Sequence, residues 1–282
     1  MDTNFYELID SGEGHRLERW KKYLLDRPDP QIIWKKTLPA SEWNKADASF
    51  RRISEDRGTW DVKTKIPARW ELEYKGIKFL AKLTPFKHTG VFPEQCPQWD
   101  YIYDSIKPAN RPINLLNLFA YTGIASLFAA KAGAKVTHVD SSKPAITWAN
   151  ENRIINGMED FPIRWIIDDA IKFTAREIKR GVKYDAIIMD PPAYGHGPMG
   201  EVWDFNKDFP KLLTNCRQIL SDNPLFVLVN AYAISSSSIT LANTLNDYFG
   251  NLKGKIENGE LTIKETSAGR LLSTGIWARW SK

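Results

Sequence analysis

The stretch Tyr184-Asp185-Ala186-Ile187-Ile188-Met189-Asp190-Pro191-Pro192-Ala193-Tyr194 decides the fold. Tyr184 to Met189 is a mainly apolar run that reads as a buried parallel strand. The run closes on an acid, and an acid at the carboxyl end of such a strand lies where open α/β sheets bind their ligands. Two successive prolines cannot continue a sheet ladder, so the chain leaves by a stiff, extended exit. A charged acceptor, a rigid turn and an aromatic ring therefore meet at the mouth of a cleft. Taken alone, the same letters also describe an Asp that ends a strand before a Pro-Pro loop. The segments on either side decide between the two.

From Pro112 onward, strand and helix patterns alternate. Strands are expected at 113–119, 135–140, 163–168, 184–190 and 225–232, with helices at 124–132, 143–156, 170–180, 206–220 and 237–249 between and after them. That alternation implies a parallel sheet covered by helices on both faces. The last two strands, 261–266 and 271–280, have no helix between them and imply an antiparallel hairpin at the sheet edge. Residues before 110 read differently, as short and irregular strands. The clearest is a hairpin, Trp70–Tyr74 and Ile77–Ala81, turning at Lys75-Gly76. The expected organisation is a β-rich unit over 1–85, serving substrate recognition, followed by an α/β domain over 86–282.

Bulk properties narrow the function classes. The chain has 282 residues, 43% of them hydrophobic, and a formal charge of +5. The charge is evenly spread: residues 1–110 carry 19 Lys and Arg against 17 Asp and Glu. Nucleic-acid binding is permitted by that balance but not argued by it. Arg51 to Arg69 is locally basic with Trp60 and Trp70 interleaved, which fits either phosphate contacts with stacking or a solvated loop. The two cysteines, Cys96 and Cys216, form no CxxC pair, so neither a disulfide framework nor a metal site is expected. The first residues lack a secretory pattern, and no apolar stretch approaches the ~18–20 residues of a membrane span. A cytoplasmic protein with no membrane association is expected; a homodimer is allowed by these features and not required.

Four successive strands end in a candidate ligand group. The first runs into Phe119-Ala120-Tyr121-Thr122-Gly123, a turn whose glycine permits close backbone approach and whose following helix N-terminus favours a carboxylate. The second ends in Asp140, 17 residues after Gly123, placed to accept from both hydroxyls of a ribose. The third ends in Asp168-Asp169-Ala170. Asp169 is the choice for an adenine amine, with Ala170 as apolar surface, and the competing role is a helix N-cap. The fourth ends in Asp190. A ligand carrying a nucleoside and a carboxylate fits this rim. S-adenosylmethionine fits better than ATP, because no G-x-x-x-x-G-K-[ST] loop is present and three acids would repel a triphosphate. No complete G-x-G-x-x-G fingerprint supports a dinucleotide.

Phe119–Gly123, Asp140-Ser141-Ser142, Asp169-Ala170 and Asp190-Pro191-Pro192 resemble, in order, the motifs of class I S-adenosylmethionine-dependent methyltransferases. The closer resemblance is to the bacterial family that includes the 23S rRNA large-subunit cytosine-5 methyltransferases. His88-Thr-Gly-Val-Phe-Pro-Glu-Gln95 is similar to that family's Lys-Thr-Gly-Phe/Tyr-x-x-Asp-Gln segment, and Gly269–Gly275 to its closing hairpin. The resemblance covers roughly 70–282. It implies a Rossmann-like seven-stranded sheet and a cofactor site of Phe92, Gln95, Phe119, Tyr121, Thr122, Gly123, Asp140, Ser141, Asp169, Ala170 and Asp190. It also implies transfer chemistry at Asp190, Pro191, Pro192 and Tyr194, and RNA, ribosomal RNA in particular, as partner.

The chain departs from that family in two respects. The family's N-terminal PUA domain is not recognisable. The thiol needed to activate C5 of cytosine has no obvious candidate beyond Cys96, since Ala193 follows the prolines. Transfer to an amine, hydroxyl or nitrogen is expected instead, oriented by Asp190 and a Pro-Pro carbonyl, with Tyr194 stacking on a base or merely packing. His196, in a glycine-rich loop expected to be mobile, is a candidate base or a solvated side chain. Methylation of a small molecule or protein, and a non-catalytic RNA-binding module, are the competing functions.

Overall fold

The computed structural model describes residues 4–53, 58–232 and 234–282. The chain forms two compact units. One holds residues 1–94 together with 262–273; the other holds 95–261 and 274–282. The tip of the last hairpin belongs to the first of these units.

In the first unit, β1 (Tyr6–Gly12), β2 (His15–Trp20), β3 (Tyr23–Pro28), β4 (Ala48–Arg52) and β5 (Gly58–Val62) form one sheet in that order. All neighbours are antiparallel except β3 and β4. Between those two lies a single helical turn, α1 (Ala40–Trp43), whose Trp43 packs with Leu17 and Leu24. β6 (Trp70–Tyr74) and β7 (Ile77–Ala81) form the expected hairpin. Its turn residues Lys75 and Gly76 both hold positive φ, 47° and 72°, the backbone a two-residue turn needs to match strand twist. Within the basic stretch, Arg51 pairs with Asp61 at 2.9 Å on the surface, while Glu55, Asp56 and Arg57 lie outside the described residues.

The sheet interior of this unit carries charge. Glu18 is fully buried and accepts from Arg27 through both oxygens and from the Tyr6 hydroxyl at 2.7 Å. Arg16, also buried, lies 3.7 Å from Glu18 and 3.3 Å from Asp29. Burial alone would raise the Glu18 carboxyl; the charges of Arg27 and Arg16 and the hydrogen bonds overcome it and hold it at about 2.

The second unit contains α2 (Cys96–Ile106), β8 (Ile113–Leu118), α3 (Ile124–Lys131), β9 (Ala134–Asp140), α4 (Lys143–Ile154), β10 (Ile163–Ile167), α5 (Ala170–Arg180) and β11 (Ala186–Met189). A short ribbon follows, β12 (Tyr194–His196) and β13 (Val202–Asp204). Then come α6 (Phe205–Ile219), β14 (Phe226–Ala231) and α7 (Ser238–Phe249). The last two strands, β15 (Lys255–Lys264) and β16 (Leu271–Ser281), begin and end in this unit. The seven-stranded sheet has the order β10-β9-β8-β11-β14-β16-β15. The first five are mutually parallel and β16 runs antiparallel to β14, as expected of the Rossmann-like reading. Every residue of β11 and β14 is buried, which is why these strands read as continuous apolar runs. α2 packs on α3 and α3 on α4; α5 packs on α6 and α6 on α7. Strand order reverses between β8 and β11, so a crevice opens beyond their carboxyl ends.

Three local readings change. α2 occupies a stretch expected to be irregular. Its buried face, Cys96, Trp99, Ile102 and Ile106, has helical spacing, but Gln98 is buried there too and blurs the pattern. β15 starts at Lys255, not Leu261; its polar first half carries no apolar alternation because it edges the sheet. The glycine-rich segment after Asp190 is not a bare loop but is bracketed by β12 and β13.

Candidate active site

β8 hands the chain to α3 through Phe119–Gly123. Phe119 and Tyr121 hold φ of 53° and 46°, and Gly123 holds 80°. Left-handed backbone costs a side-chain-bearing residue roughly 1–2 kcal/mol, so the turn must be held from outside. Ala120 N–H donates to the Val139 carbonyl at 3.1 Å, Tyr121 N–H to Asp140 Oδ2 at 2.8 Å, and Asn152 Nδ2 to the Thr122 carbonyl at 2.9 Å. A Cβ on Gly123 would stand 2.8 Å from the Ala149 Cβ, so the turn can sit against α4 only with glycine there.

Asp140 ends β9. Its Oδ2 takes the Tyr121 N–H and its Oδ1 takes the Ser142 N–H, each at 2.8 Å. Ser142, not Asp140, caps α4, accepting from Ala145 N–H at 3.3 Å. The acid is therefore committed to the rim and not to the helix, and each oxygen keeps a second lone pair. Burial pushes the Asp140 carboxyl above the usual range against the pull of the two N–H donors. Asp169 does cap its helix, through Oδ1 from Lys172 N–H at 2.9 Å, and its Oδ2 has no partner among the described residues. Asp168 forms an ion pair with Arg176, and its Oδ1 accepts from the Asp169 N–H at 2.9 Å.

Phe119, Asp140, Ser141, Asp168, Asp169 and Ala170 line one cleft, and the ribbon forms its other wall. Gly195 and Trp203 pair across the ribbon and border the cleft. The Trp203 indole donates to the Pro192 carbonyl at 2.7 Å and meets the Phe119 ring edge-on at 4.8 Å. Ser141 Oγ donates to the His196 carbonyl at 3.3 Å, and Lys172 pairs with Glu201 at the ribbon's turn. The bond from Lys172, with backbone donors, holds the Glu201 carboxyl down at about 2. The ribbon is thus latched at both sides of the cleft. The hydrogen bond from Trp203 to a proline carbonyl was not legible in the sequence.

Asp190 follows β11 and accepts from Gln95 Nε2 at 3.1 Å. Pro191 is buried and its carbonyl makes no hydrogen bond among the described residues, whereas the Pro192 carbonyl is taken by Trp203. Tyr194 is 59% exposed and stands edge-on to His196 at 5.4 Å; it pairs with Asp204 and alternates with Gly195 along the strand, so the two point to opposite faces of the ribbon. Phe92 belongs to the first unit, half-buried, its ring 5.8 Å from that of His88. Cys96 and Cys216 are both fully buried, and burial pushes the Cys216 thiol up.

Phe119, Asp140, Ser141, Asp169, Ala170 and Pro192 are therefore brought to one cleft, with Tyr121, Thr122 and Gly123 shaping its turn. Gln95 meets Asp190 directly. Three carboxylates and a set of carbonyls make the rim acceptor-rich, which suits hydroxyl and amine donors.

A family model described as S-adenosylmethionine-dependent methyltransferase matches residues 27–247. The crystal structure of the SAM-dependent methyltransferase from Agrobacterium tumefaciens superposes with a TM-score of 0.96 at 42% identity, covering 99% of this chain and 91% of that one. The ribosomal RNA large subunit methyltransferase K/L of Shewanella frigidimarina is 34% identical over 160 residues, 56% of this chain. The protein of the same name from Alteromonas mediterranea is 33% identical over 162 residues, 57% of this chain. Each alignment spans 22% of the relative's length. Among the described residues, no helix is long and apolar enough to cross a membrane.

Proposed function

The chain belongs to the S-adenosylmethionine-dependent methyltransferases, and on that premise we propose that it methylates a base of ribosomal RNA at a nitrogen already nucleophilic. The observation that carries this reading is the pairing of an acceptor-only group, Asp190, with two thiols that are both fully buried. Cytosine C5 needs a thiolate to become nucleophilic, whereas an amine needs only alignment. The RNA assignment takes its support from relatives named as ribosomal RNA methyltransferases. Such a substrate would place the reaction in the cytoplasm.

The donor set of the cofactor fits the cleft. Asp140 would accept from the ribose hydroxyls through its remaining lone pairs, and Asp169 Oδ2 from the adenine amine above Ala170. Backbone of the Phe119–Gly123 turn, with Thr122 and the N-terminus of α3, would face the methionine end. Ser141 would hold the ribbon that closes the cleft. S-adenosylmethionine supplies an electrophilic methyl on a sulfonium. Asp190 would accept an N–H from the incoming amine, aided by the Pro191 carbonyl, and so aim the nitrogen lone pair. The Asp190 carboxylate would stabilise the positive charge that methylation places on the nitrogen until the proton leaves to water. Tyr194, exposed beside the exit, would stack on the base. The N-terminal unit would add RNA contacts; it carries Lys22 over the Tyr23 ring at 5.3 Å and Lys75 over the Tyr74 ring at 5.5 Å.

Labelled methyl transfer to total RNA, followed by digestion to nucleosides, tests the reading. A methylated base nitrogen is expected. The Cys96→Ala variant is expected to keep transfer within about threefold, since the thiol has no part in orienting the nucleophile. Product at cytosine C5, or loss of transfer in that variant, contradicts the mechanism.

A further inference from the structure

Gln95 occupies the N-cap of α2, a position whose side chain ordinarily accepts from the first helical turn. It makes no such bond. Both ends of its amide are spent elsewhere: Nε2 donates to Asp190 Oδ2 at 3.1 Å, and Oε1 accepts from Asn230 Nδ2 at 2.9 Å. Asn230 lies in β14, beside β11, and is 3% exposed. Three residues from three chain segments form one line, Asn230–Gln95–Asp190.

The polarity of the line is set at the carboxylate. Asp190 can only accept, so Gln95 must turn its NH₂ toward it and its oxygen toward Asn230, which must then present its own NH₂. Turning either amide over sets two acceptors or two donors face to face. The Oδ1 of Asn230 is buried with no donor among the described residues. A carboxylate at a strand end that loses one of its partners samples more rotamers. Methyl transfer needs an in-line approach, and a 1 Å misplacement costs about 100-fold.

Resting on the methyl-transfer reading above, we propose that Gln95 and Asn230 are positioning residues that fix the Asp190 carboxylate against the incoming nucleophile, with Gln95 acting through Asp190 and not as a ligand of the cofactor. Glutamate at position 95 separates these roles. Ionised, it sets a second carboxylate against Asp190. Protonated, it is close to isosteric with glutamine: its O–H donates to Asp190 and its C=O accepts from Asn230. Gln95→Glu should therefore lower kcat about 10- to 100-fold at mildly alkaline pH and recover as pH falls and the carboxyl pair shares a proton. Affinity for S-adenosylhomocysteine should stay within about threefold of that of the unsubstituted protein at each pH, because the pair acts on orientation. A pH profile parallel to that of the unsubstituted protein, or a loss of affinity equal to the loss in kcat/KM, overturns the proposal.

A second measurement needs no methyl acceptor. Gln31, Gln95, Gln98 and Gln218 are the only glutamines, so selective ¹⁵N labelling gives four side-chain amides, with that of Gln95 identified by its loss in Gln95→Leu. Its amide protons should shift in Asp190→Asn while the other three stay. No shift overturns the relay. A shift in a protein that transfers no methyl to RNA upholds the relay and removes the RNA reading alone.

Discussion

Asp190→Ala is expected to reduce methyl transfer by about 10²–10³-fold, the usual cost of deleting one preorganised group from a charge-developing transition state. The carboxylate stands at the switch point of the sheet, directly after β11 and opposite the end of β8, whose Leu118 carbonyl lies 3.4 Å from the Asp190 N–H. It is held from the side by Gln95. Removing it leaves the Pro191 carbonyl as the acceptor at the exit, since Trp203 occupies that of Pro192. The nucleophile would still bind, but its lone pair would no longer be aimed, and the positive charge growing on nitrogen would meet no counter-charge. The loss in kcat should exceed any loss in affinity for S-adenosylhomocysteine by at least about tenfold. Stopped-flow or quenched single-turnover assays with labelled cofactor measure it; equal losses in both would make Asp190 a binding residue only.

Glu18→Ala is expected to destabilise the N-terminal unit by about 3–5 kcal/mol, a large share of the 5–15 kcal/mol that ordinarily holds a domain. Glu18 neutralises Arg27 and faces Arg16 inside a sheet where all three are buried. Alanine would leave two buried guanidiniums with Asp29 and Glu94 as nearby counter-charges. Glu18→Gln, which keeps acceptors for Tyr6 and one arginine, should cost less. Because the folded carboxyl is held below its unfolded value, its contribution is present above the ordinary carboxylate range and is lost only as pH falls toward about 2. Urea titration monitored by fluorescence reads the change, since Trp20 in β2 is fully buried in this unit. A shift below about 1 kcal/mol, the range of exposed pairs, contradicts it.

Much of the architecture was legible because its central strands are buried on both faces and announce themselves as apolar runs, as in β11 and β14. The strand-end groups Gly123, Asp140, Asp169 and Asp190 were legible for the same reason, since each closes a readable strand. The rest was hidden by physics that leaves little mark on one-dimensional pattern. β12 and β13 are three residues each, too short for periodicity, and the glycines between them read as a loop. α2 buries Gln98 on its apolar face. Gln95 and Asp190 meet across 95 residues of chain, a contact that no spacing rule reaches. The division of labour at Asp140 and Asp169 was also out of reach. Either acid could have capped its helix. Asp169 does, and Asp140 is released from the task by Ser142.

On the proposed reading the rim of β8, β9 and β10 holds the cofactor, and Asp140 is the residue on which that binding turns. Calorimetric titration of S-adenosylhomocysteine into the protein and its Asp140→Ala variant tests this most directly. Loss of a charged acceptor serving two hydroxyls should weaken binding by about 10- to 100-fold, at 1.5–3 kcal/mol for a bond to a charged group. In the unsubstituted protein, affinity should also fall as pH drops into the raised range of the Asp140 carboxyl, because protonation removes an acceptor. That pH dependence should vanish in the variant. Equal affinity for the two proteins, with the same pH profile, would contradict the account.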